Sequence, residues 1–493
     1  FNQSKKVEEL PSEDTKDVAQ ESQPVSQTPP VIVEKKEEAP AAISPAKDTA
    51  PAVKEQKEEV AAPTADIHDV ELTDANKLEE GEMMEVKVGA GKQDKVLVAK
   101  FKGEVYAIGA YCSHFGAPLA KGVLFDDKVM CPYHAAGFSV KTGALEFAPG
   151  RDGVPSYPVT QKDGKYFVTV PKKMEKKQIA KMAKRDPENK TKMVIIGGGA
   201  AGLNCAETLR QSDFTGEIVV LSEEKALPYD RTLLSKQLAK GNASKWSLRE
   251  SGFLDSYDID YHLGYKAVGI DKASQQVQLA DGSTVSYDKL LIATGGRAFK
   301  PPTPGIDLDN VFLLRTSEDQ ANIKKAAANA KNIVVVGAGF IGSETVANLQ
   351  KTYSGKKNVH MVCDAVPMEK YFGYDVGAMF LHEHDKNGAK VYVNHDLTKI
   401  KYDGEGKVNK VVLESGYEIP ADLVIVGAGI APNVELAESA GLTMEARGVK
   451  TNPFLQTSDP NIFAAGDIAS FPNWHTGSTT RIEHWIAAQD QGS

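Results

Sequence analysis

Short runs of hydrophobic and β-branched residues, broken by glycines, characterise the chain between residues 67 and 171. These runs cover residues 84–88, 96–101, 105–108 and 166–170. Successive side chains of a β-strand point to opposite faces, so runs of this length and texture predict strands. The pattern therefore predicts a small all-β domain over residues 67–171.

Beyond residue 190 the hydrophobic runs are continuous and are separated by helical or turn segments. They cover residues 193–196, 217–221, 290–293, 333–336, 359–362 and 423–426. Continuous runs are typical of strands that are buried on both faces of a parallel sheet. Glycine-rich turns follow two of these runs, at 197 and at 337. Their repetition indicates an internal duplication of a nucleotide-binding unit.

Two further segments follow neither pattern. Residues 1–66 hold eight prolines, no glycine and a single aromatic residue, Phe1. Such a segment cannot bury enough apolar surface to offset the entropy that is lost on ordering, which predicts a disordered tail. Residues 172–190 carry a run of lysines, and a short run of this kind predicts a solvated helical linker.

Composition and charge narrow the classes of protein to consider. The chain has 493 residues, which predicts several domains, and a formal net charge of −9, which offers no basic surface to nucleic acid. It contains no run approaching the ~18 apolar residues of a membrane-spanning helix, so no transmembrane segment is expected. Four cysteines in a chain of this length exclude a disulfide-stapled scaffold and favour reduced thiols or metal ligands.

Two of the cysteines stand beside histidines in matching half-sites. Cys112 and His114 form C-x-H, and Cys131 and His134 form C-x-x-H after sixteen intervening residues. Two thiolates and two imidazoles are the ligand set of a Rieske [2Fe–2S] centre. Zinc fingers also use two cysteines and two histidines, but they take both cysteines from one half-site and both histidines from the other. The mixed half-sites favour the iron–sulfur cluster, and zinc stays the alternative.

The stretch around these four ligands resembles the Rieske ferredoxin domain. The resemblance implies that both cysteines bind one iron and both histidines bind the other. Phe115 and Tyr133 stand where respiratory Rieske proteins carry an additional disulfide, so the similarity is to the low-potential ferredoxin type. Ala135 occupies a position that is usually glycine in the family.

The first glycine-rich turn has the spacing of a dinucleotide-binding loop. Gly197, Gly199 and Gly202 form G-x-G-x-x-G between a hydrophobic run and a helical segment. In this motif the first glycine allows a tight turn, the second lets the backbone approach the pyrophosphate, and the third permits close helix packing. Glu223 follows the next hydrophobic run, and we expect it to accept a hydrogen bond from a ribose hydroxyl.

The second glycine-rich turn repeats this motif. Gly337, Gly339 and Gly342 carry the same spacing, and Asp364 is the expected ribose acceptor. A carboxylate at this position accepts from a 2′-hydroxyl and repels a 2′-phosphate, which favours NADH over NADPH. In the alternative, Cys363 takes the position at the strand end and the ribose finds its acceptor elsewhere.

Two later stretches indicate which loop binds which dinucleotide. Thr294 and Gly295 belong to an A-T-G-G stretch, and Asp467 ends an A-A-G-D stretch. With the glycine loops, these stretches make the chain from residue 191 similar to the two-dinucleotide flavoprotein superfamily. The resemblance implies FAD at the first loop, with Asp467 on the ribityl chain, and NAD at the second. It implies an FAD-binding domain in two parts, residues 191–314 and 432–493, around an NAD-binding domain at residues 315–431.

The remaining cysteines and two short stretches indicate the branch of this superfamily. Cys205 and Cys363 each stand alone, without the second redox cysteine of the disulfide reductases, so dithiol chemistry is not expected. Residues 227–236 resemble the flavin-contacting stretch of oxygenase-coupled ferredoxin reductases and of apoptosis-inducing factors. Residues 481–485 resemble the segment of these proteins that passes the flavin.

These two resemblances imply roles for individual side chains. They place Arg231 along the FAD phosphates and Lys236 near the flavin ring, paired with Glu344. They place Trp485 beside the flavin ring. Lys236, Glu344 and Trp485 are therefore the candidate catalytic residues. The alternative is that Lys236 and Glu344 are solvated residues of unrelated helices.

A Rieske domain followed by such a reductase resembles the Rieske-bearing apoptosis-inducing-factor-like proteins over residues 67–493. The resemblance implies a multidomain fold, with a small all-β Rieske domain before α/β, Rossmann-like FAD- and NAD-binding domains. It implies FAD, a [2Fe–2S] cluster and NADH as cofactors. The leading hypothesis is an oxidoreductase that passes electrons from NAD(P)H through FAD to the cluster and on to an unknown acceptor, such as a redox protein. The alternative is a redox-sensing, apoptosis-linked interaction protein in which turnover is incidental.

The same resemblance carries two weaker expectations. Its members suggest an intracellular location, mitochondrial or cytoplasmic. They usually continue into a C-terminal interface domain, so this chain is expected to be truncated before one, and its oligomeric state stays open.

Overall fold

The computed structural model describes residues 66–493, so the prediction of a disordered tail at residues 1–66 falls, apart from Asp66, outside the described residues. Within residues 66–493 no helix is long and apolar enough to cross a membrane. The described residues belong to one compact unit.

The predicted all-β domain is confirmed, and we refer to residues 67–171 as the β domain. Its strands are β1 Ile67–Glu71, β2 Met83–Lys87, β3 Lys95–Phe101, β4 Glu104–Gly109, β5 Val123–Phe125, β6 Lys128–Met130, β7 Gly137–Ser139, β8 Leu145–Phe147, β9 Ser156–Tyr157, β10 Val159–Lys162 and β11 Lys165–Pro171. They pair into antiparallel sheets of order β1-β11-β10, β2-β3-β4-β9 and β5-β6-β7-β8. Single 3₁₀ turns occur at Ala75–Lys77 and Leu119–Lys121.

Strand β3 lies between the two hydrophobic clusters of the β domain. Leu97 and Ala99 pack in the cluster that also contains Cys112. Val96 and Val98 pack in the other cluster. Because successive side chains of a strand point to opposite faces, both faces of β3 are buried. This burial explains why the run at residues 96–101 is almost continuously hydrophobic.

The lysine-rich linker at residues 172–190 is extended, so the prediction of a helix there is wrong. Its backbone amides bond to neighbouring domains rather than within a helical turn. The amide of Gln178 donates to the carbonyl of Gly153 at 2.9 Å, and the amide of Ala183 donates to the carbonyl of Arg210 at 2.8 Å. Met182 is buried. The linker is therefore held against both the β domain and the α/β part of the chain.

The α/β part begins with the first dinucleotide-binding unit. Its strands are β12 Lys192–Ile196, β13 Glu217–Ser222, β14 Ile259–Leu263, β15 Ala267–Asp271, β16 Gln276–Leu279, β17 Thr284–Ser286, β18 Lys289–Ile292 and β19 Gly296–Ala298. Its helices are α1 Ala200–Gln211 and α2 Leu233–Lys236, with 3₁₀ turns at Ala243–Lys245 and Asp255–Tyr257. Strands β15, β16 and β17 form a separate antiparallel sheet.

The second unit follows from residue 311. Its strands are β20 Val311–Leu313, β21 Asn332–Val336, β22 Asn358–Cys363, β23 Lys390–Val393, β24 Leu397–Tyr402, β25 Val408–Leu413, β26 Glu418–Pro420, β27 Leu423–Val426 and β28 Ile430–Pro432. The helices are α3 Ser317–Asn329, α4 Phe340–Tyr353, α5 Glu369–Phe372 and α6 Tyr374–Lys386. The short helix that follows, α7 Glu435–Ser439, already packs against the core of the first unit. The parallel sheet has the order β20-β27-β21-β22-β23, so the second unit already includes β20, just before the predicted boundary at residue 315.

The chain then returns to the first unit. The last elements are β29 Met444–Glu445, β30 Gly448–Lys450, β31 Ile462–Ala464, β32 Ala469–Asn473, β33 Ser478–Thr480 and α8 Trp485–Gly492, with a 3₁₀ turn at Gly466–Ile468. Strand β31 completes a parallel sheet of order β14-β13-β12-β18-β31. Every continuous hydrophobic run singled out in the sequence is thus a strand of one of two parallel five-stranded sheets.

Candidate cofactor sites

The two half-sites of the candidate cluster have the same loop geometry. In the loop after β4, the amide of Cys112 donates to the carbonyl of Ala117 at 2.9 Å, and the amide of Gly116 returns to the carbonyl of Cys112 at 2.9 Å. In the loop after β6, the amide of Cys131 donates to the carbonyl of Ala136 at 2.8 Å, and the amide of Ala135 donates to the carbonyl of Cys131 at 3.0 Å.

The four predicted ligands converge as two like pairs. Cys112 and Cys131 are buried in the same hydrophobic cluster of the domain, and the imidazole rings of His114 and His134 lie 5.0 Å apart between centroids. Within residues 66–493, no three His, Cys, Asp or Glu side chains are grouped to hold a single metal ion. A lone zinc ion fits this arrangement poorly. A two-iron cluster fits it, because each pair can serve its own iron.

The pKa shifts of two of these ligands have opposite consequences for metal binding. Burial and the neighbouring Cys131 raise the pKa of the Cys112 thiol to about 12. Burial, together with the neighbouring His134, lowers the pKa of His114 to about 4. The imidazole of His114 is therefore neutral at ordinary pH, as a metal ligand must be, whereas binding a metal at Cys112 must displace its proton.

The first glycine loop is built as the motif requires. Gly197 follows β12 with φ of 108°, in the region that favours glycine. A Cβ on Gly202 would lie 1.9 Å from the carbonyl oxygen of Gly197, so only glycine lets α1 pack against the loop. A Cβ on Gly199 would meet no atom within 4 Å. Gly199 therefore leaves space on the side from which a ligand approaches.

A cavity of about 2500 Å³ opens in front of this loop. Most of the predicted FAD-site residues line this cavity. The lining includes Gly197, Gly199, Glu223, Arg231, Lys236, Thr294, Gly295, Glu344, Asp467 and Trp485.

Lys236 and Glu344 form the predicted pair across the two units. The Lys236 ammonium nitrogen lies 3.0 Å from a Glu344 carboxylate oxygen, and the hydroxyl of Ser235 donates to the other oxygen of that carboxylate. Lys236 belongs to α2 and Glu344 to α4, so the pair joins the units beside the cavity. The Lys236 side chain is 46% exposed, so its role beside the flavin ring stays a prediction.

Sequence reasoning missed three polar residues of the same wall, Glu224, Tyr229 and Arg315. Arg231 donates to the hydroxyl oxygen of Tyr229 at 2.9 Å and forms an ion pair with Glu224. The Tyr229 hydroxyl in turn donates to Glu224 at 2.8 Å. Arg315 lies 3.0 Å from the carboxylate of Asp467.

The adjacent carboxylates at 223 and 224 were not distinguishable by motif. Glu223 lines the cavity but is exposed and pairs with Lys266 at 2.8 Å, whereas Glu224 turns inward to Arg231. Arg315 carries no motif signal, because its position depends on where β20 ends.

The second glycine loop repeats the backbone design but contributes less to the cavity. Gly337 has φ of 123°, and a Cβ on Gly342 would lie 2.1 Å from the carbonyl oxygen of Gly337. A Cβ on Gly339 would face the Tyr371 ring. No glycine of this loop lines the cavity; the helix that follows it contributes Phe340, Ile341, Glu344 and Tyr353.

Asp364 and Cys363 are placed differently at the end of β22. Cys363 is the last residue of the strand and is buried, and its thiol faces the carbonyl of Tyr392 at 3.6 Å. Asp364 follows directly and is exposed, outside the lining of the large cavity. Of these two side chains, only that of Asp364 is accessible at the end of the strand, and its role as the ribose acceptor stays a prediction.

The solitary cysteines have the properties of inert thiols. Burial raises the pKa of Cys205 and of Cys363 to about 12. Cys205 packs against the core of the first unit, and Cys363 belongs to the core of the second. Neither thiol has a cysteine partner among the described residues.

The cluster loops reach the same cavity as the candidate FAD residues. His134 is exposed and belongs to the cavity lining. The second histidine, His114, lies near Asp230 of the 227–236 stretch. The negative charge of Asp230 opposes the lowering of the His114 pKa that burial causes. The aromatic rings of Phe115 and Tyr133 flank the His134 ring at 5.8 and 6.2 Å between centroids.

Comparison with known proteins agrees with this division of the chain. Residues 68–158 match the Rieske [2Fe-2S] domain, and residues 191–492 match the pyridine nucleotide-disulphide oxidoreductase family. Apoptosis-inducing factor 3 of Homo sapiens is 36% identical over 424 residues, which are 84% of this chain and 69% of that protein. This alignment is longer than residues 191–492 alone, so it includes part of the β domain.

Two reductases are similar to the α/β part. The ferredoxin–NAD(+) reductase component of the biphenyl dioxygenase system of Paraburkholderia xenovorans is 33% identical over 301 residues, 60% of this chain and 72% of that protein. The crystal structure of the ferredoxin reductase for the CYP199A2 system from Rhodopseudomonas palustris has a TM-score of 0.59 and 34% identity, covering 61% of this chain and 74% of that chain.

The first prediction concerns strain in the second cluster loop. Ala135 has φ of 59°, where a Cβ costs roughly 1–2 kcal/mol, and the equivalent Gly116 has φ of 71°. We expect Ala135→Gly to stabilise the β domain by up to about 1 kcal/mol, and Gly116→Ala to destabilise it by a similar amount. Thermal unfolding of the two variants, followed by circular dichroism and by cluster absorbance, measures both. Shifts of the same sign would contradict this account.

The second prediction separates the two roles of glycine in the first loop. Gly199→Ala should fold normally but purify with less FAD, because the methyl group enters the space for the pyrophosphate. Gly202→Ala should lose stability as well as FAD, because its methyl group collides with the Gly197 carbonyl. The flavin-to-protein ratio and the melting temperature of the flavin-free protein measure the difference. A full flavin content in Gly199→Ala would refute it.

Proposed function

The chain belongs to the pyridine nucleotide-disulphide oxidoreductase family and carries a Rieske [2Fe-2S] domain ahead of it, and we propose that it passes electrons from NADH through FAD to the cluster. The two domain matches imply FAD, NAD(H) and a [2Fe–2S] cluster as cofactors. When bound, FAD takes a hydride from NADH and releases electrons singly to an acceptor such as the cluster. The chain is therefore an NAD(P)H-dependent flavoprotein oxidoreductase.

One observation carries the proposed route to the cluster. His134, a candidate cluster ligand, lines the cavity that also contains Lys236, Glu344 and Trp485. If FAD is bound in this cavity and a cluster is bound at its four ligands, His134 would stand at the cavity surface between the two centres.

Several polar residues of the cavity, two of them without any sequence assignment, suit the chemistry of FAD. The guanidinium groups of Arg231 and Arg315 are planar, bidentate donors of the kind that bind pyrophosphate. Glu224 and Asp467 each orient one of them. The ammonium of Lys236, oriented by Glu344, places a positive charge near the ring and favours its reduced form.

The names of the relatives suggest the place of the Rieske domain. The two reductases described above are named for reducing ferredoxin. We infer that here the Rieske domain takes the place of a separate ferredoxin and hands electrons to a further acceptor, such as a redox protein. The location of the protein, mitochondrial or cytoplasmic, stays a prediction.

Rapid mixing with NADH under anaerobic conditions tests the proposed route. We expect flavin absorbance to fall first and cluster absorbance to fall second, with about two iron and two sulfide per chain. Steady-state turnover with a one-electron acceptor should reach ~1–10³ per second. Cys131→Ser should abolish the second phase by removing a ligand, and Cys205→Ser should leave both phases unchanged because Cys205 contacts neither site.

Three outcomes of this experiment would contradict the proposal. Purified protein that contains zinc and no sulfide would contradict the cluster assignment. A cluster that stays oxidised after mixing with NADH would contradict the route from flavin to cluster. Negligible turnover with a long-lived reduced complex would favour the redox-sensing alternative.

A further prediction concerns the choice of nicotinamide. Asp364→Ala combined with Ala365→Arg should weaken NADH binding and admit NADPH, because the 2′-phosphate gains a bidentate partner and loses a repelling charge. FAD content should not change. Glu223→Ala should instead lower FAD retention and leave the nicotinamide preference unchanged. Steady-state kinetics with both nucleotides and flavin content measure the two effects, and exchanged effects would mean that the loops are assigned to the wrong cofactors.

A further inference from the structure

Four buried charged residues lie where the β domain meets the first α/β unit. Arg151 and Asp152 come from the loop between β8 and β9, Glu207 comes from α1, and Arg249 comes from the segment before β14. Their side chains are 8%, 2%, 2% and 6% exposed, in that order. We call these four residues the interdomain ion network.

The guanidinium of Arg249 is the centre of the interdomain ion network. One of its terminal nitrogens lies 2.7 and 2.9 Å from the two carboxylate oxygens of Asp152. Its other two nitrogens donate to the two oxygens of Glu207 at 2.9 and 2.6 Å. Arg151 reaches Glu207 from the β domain at 2.5 Å. The four charges cancel, and two of the contacts cross between the domains: Arg249 with both oxygens of Asp152, and Arg151 with Glu207. The two-nitrogen fork of Arg249 on Glu207 lies within the first unit, and it fixes the direction in which Arg249 presents its remaining nitrogen to Asp152.

The network is connected to the cluster loop. The hydroxyl of Ser113 donates to the backbone carbonyl of Asp152 at 2.6 Å, inside the protein. Ser113 stands between the candidate ligands Cys112 and His114. The residue whose carboxylate meets Arg249 therefore also holds the loop that carries two cluster ligands.

The network is also connected to the flavin side. Glu207 lies on α1, the helix that starts at the first glycine loop. Next to Arg249, the amide of Leu248 donates to the carbonyl of Pro228 at 2.8 Å, in the 227–236 stretch. The side-chain amide of Gln489, on the helix that begins at Trp485, donates to the carbonyl of Gly150 at 3.3 Å.

Stability alone is a poor explanation for this network. Burying four charges costs desolvation energy, and buried ion pairs are often no more stabilising than apolar side chains of the same size. Arg151 even leaves two of its buried guanidinium nitrogens without a partner among the described residues. What the cross-domain ion pairs supply, and apolar contacts do not, is a directional contact that favours one orientation of the two surfaces.

We propose that the interdomain ion network is a positioning device: it holds the β domain in the orientation in which His134 faces the flavin cavity, and so sets the rate of electron passage from flavin to cluster. The inference rests on the proposed function, and it assigns Asp152, Glu207 and Arg249 as positioning residues for that step.

The test compares variants of the cofactor-loaded full chain by rapid mixing with NADH. Glu207→Gln and Asp152→Asn each remove one charge at nearly constant shape. Both should slow the reduction of the cluster at least about tenfold, since a shift of about 1 Å slows geometry-dependent steps by up to about 10²-fold. The rate of flavin reduction and the electron paramagnetic resonance spectrum of the dithionite-reduced cluster should stay as in the wild type.

A paired variant and a control complete the design. Because loss of one partner can prevent folding, the double variant Asp152→Leu with Arg249→Met removes a cross-domain anion and its cation together and leaves Arg151 paired with Glu207. It should fold and show the same slowing. Lys177→Ala removes an exposed lysine that lies 3.6 Å from Asp152 on the solvent side. It should leave cluster reduction within twofold of the wild type, because its half-exposed ammonium is screened by water and lies farther from Asp152 than the Arg249 guanidinium does.

The outcomes separate this inference from the proposed function. If the wild-type cluster is not reduced at all, the proposed function fails. If it is reduced, but any folded network variant reduces it within twofold of the wild-type rate, the positioning role fails. The role also fails if flavin reduction slows equally, if the spectrum of the cluster shifts, or if Lys177→Ala slows the step as much as Glu207→Gln.

Discussion

Parallel strands end at one edge of their sheet, and this constraint determines where the cofactor-binding loops of the chain lie. β12 and β21 are the central strands of their five-stranded sheets, so the loop after each opens at the middle of that edge. The helix that follows must pack back onto the sheet. Its approach leaves no room for a side chain at Gly202 or Gly342. The cavity and the surface on which the β domain rests both follow from that edge.

The polar side chains of the cavity hold one another in place. Burial raises the pKa of Tyr229 to about 12, so its hydroxyl stays protonated and can donate to Glu224. The same hydroxyl oxygen accepts from Arg231 and from the amide of Ser317. Its hydrogen-bonding capacity is therefore used fully, and Arg231 has little freedom to turn. A cation fixed in advance spends less of its interaction energy on reorganisation when it meets an anionic ligand.

The sequence was informative where a signal is local and silent where it is not. Continuous hydrophobic runs predicted the parallel strands, because burial on both faces leaves few alternatives for residues 193–196 or 423–426. The lysine run at residues 172–190 was misread as a helix, because the bonds of its backbone go to distant partners such as Gly153. The motif spacing also did not distinguish Glu223 from Glu224, because a shift of one residue in the end of β13 decides which carboxylate turns inward.

The interdomain ion network had no sequence signal at all, and the reason is physical. Asp152, Glu207 and Arg249 lie about 40 to 100 residues apart in the chain, and no single element contains two of the three. A covalent linker raises the local concentration of one domain near another, but it does not choose their orientation. The linker of residues 172–190 adds single backbone bonds to each domain, through Gln178 and Ala183. The buried ion pairs of Arg249 with Asp152 and of Arg151 with Glu207 join the two domains directly, so they are the contacts best placed to aim His134 at the cavity.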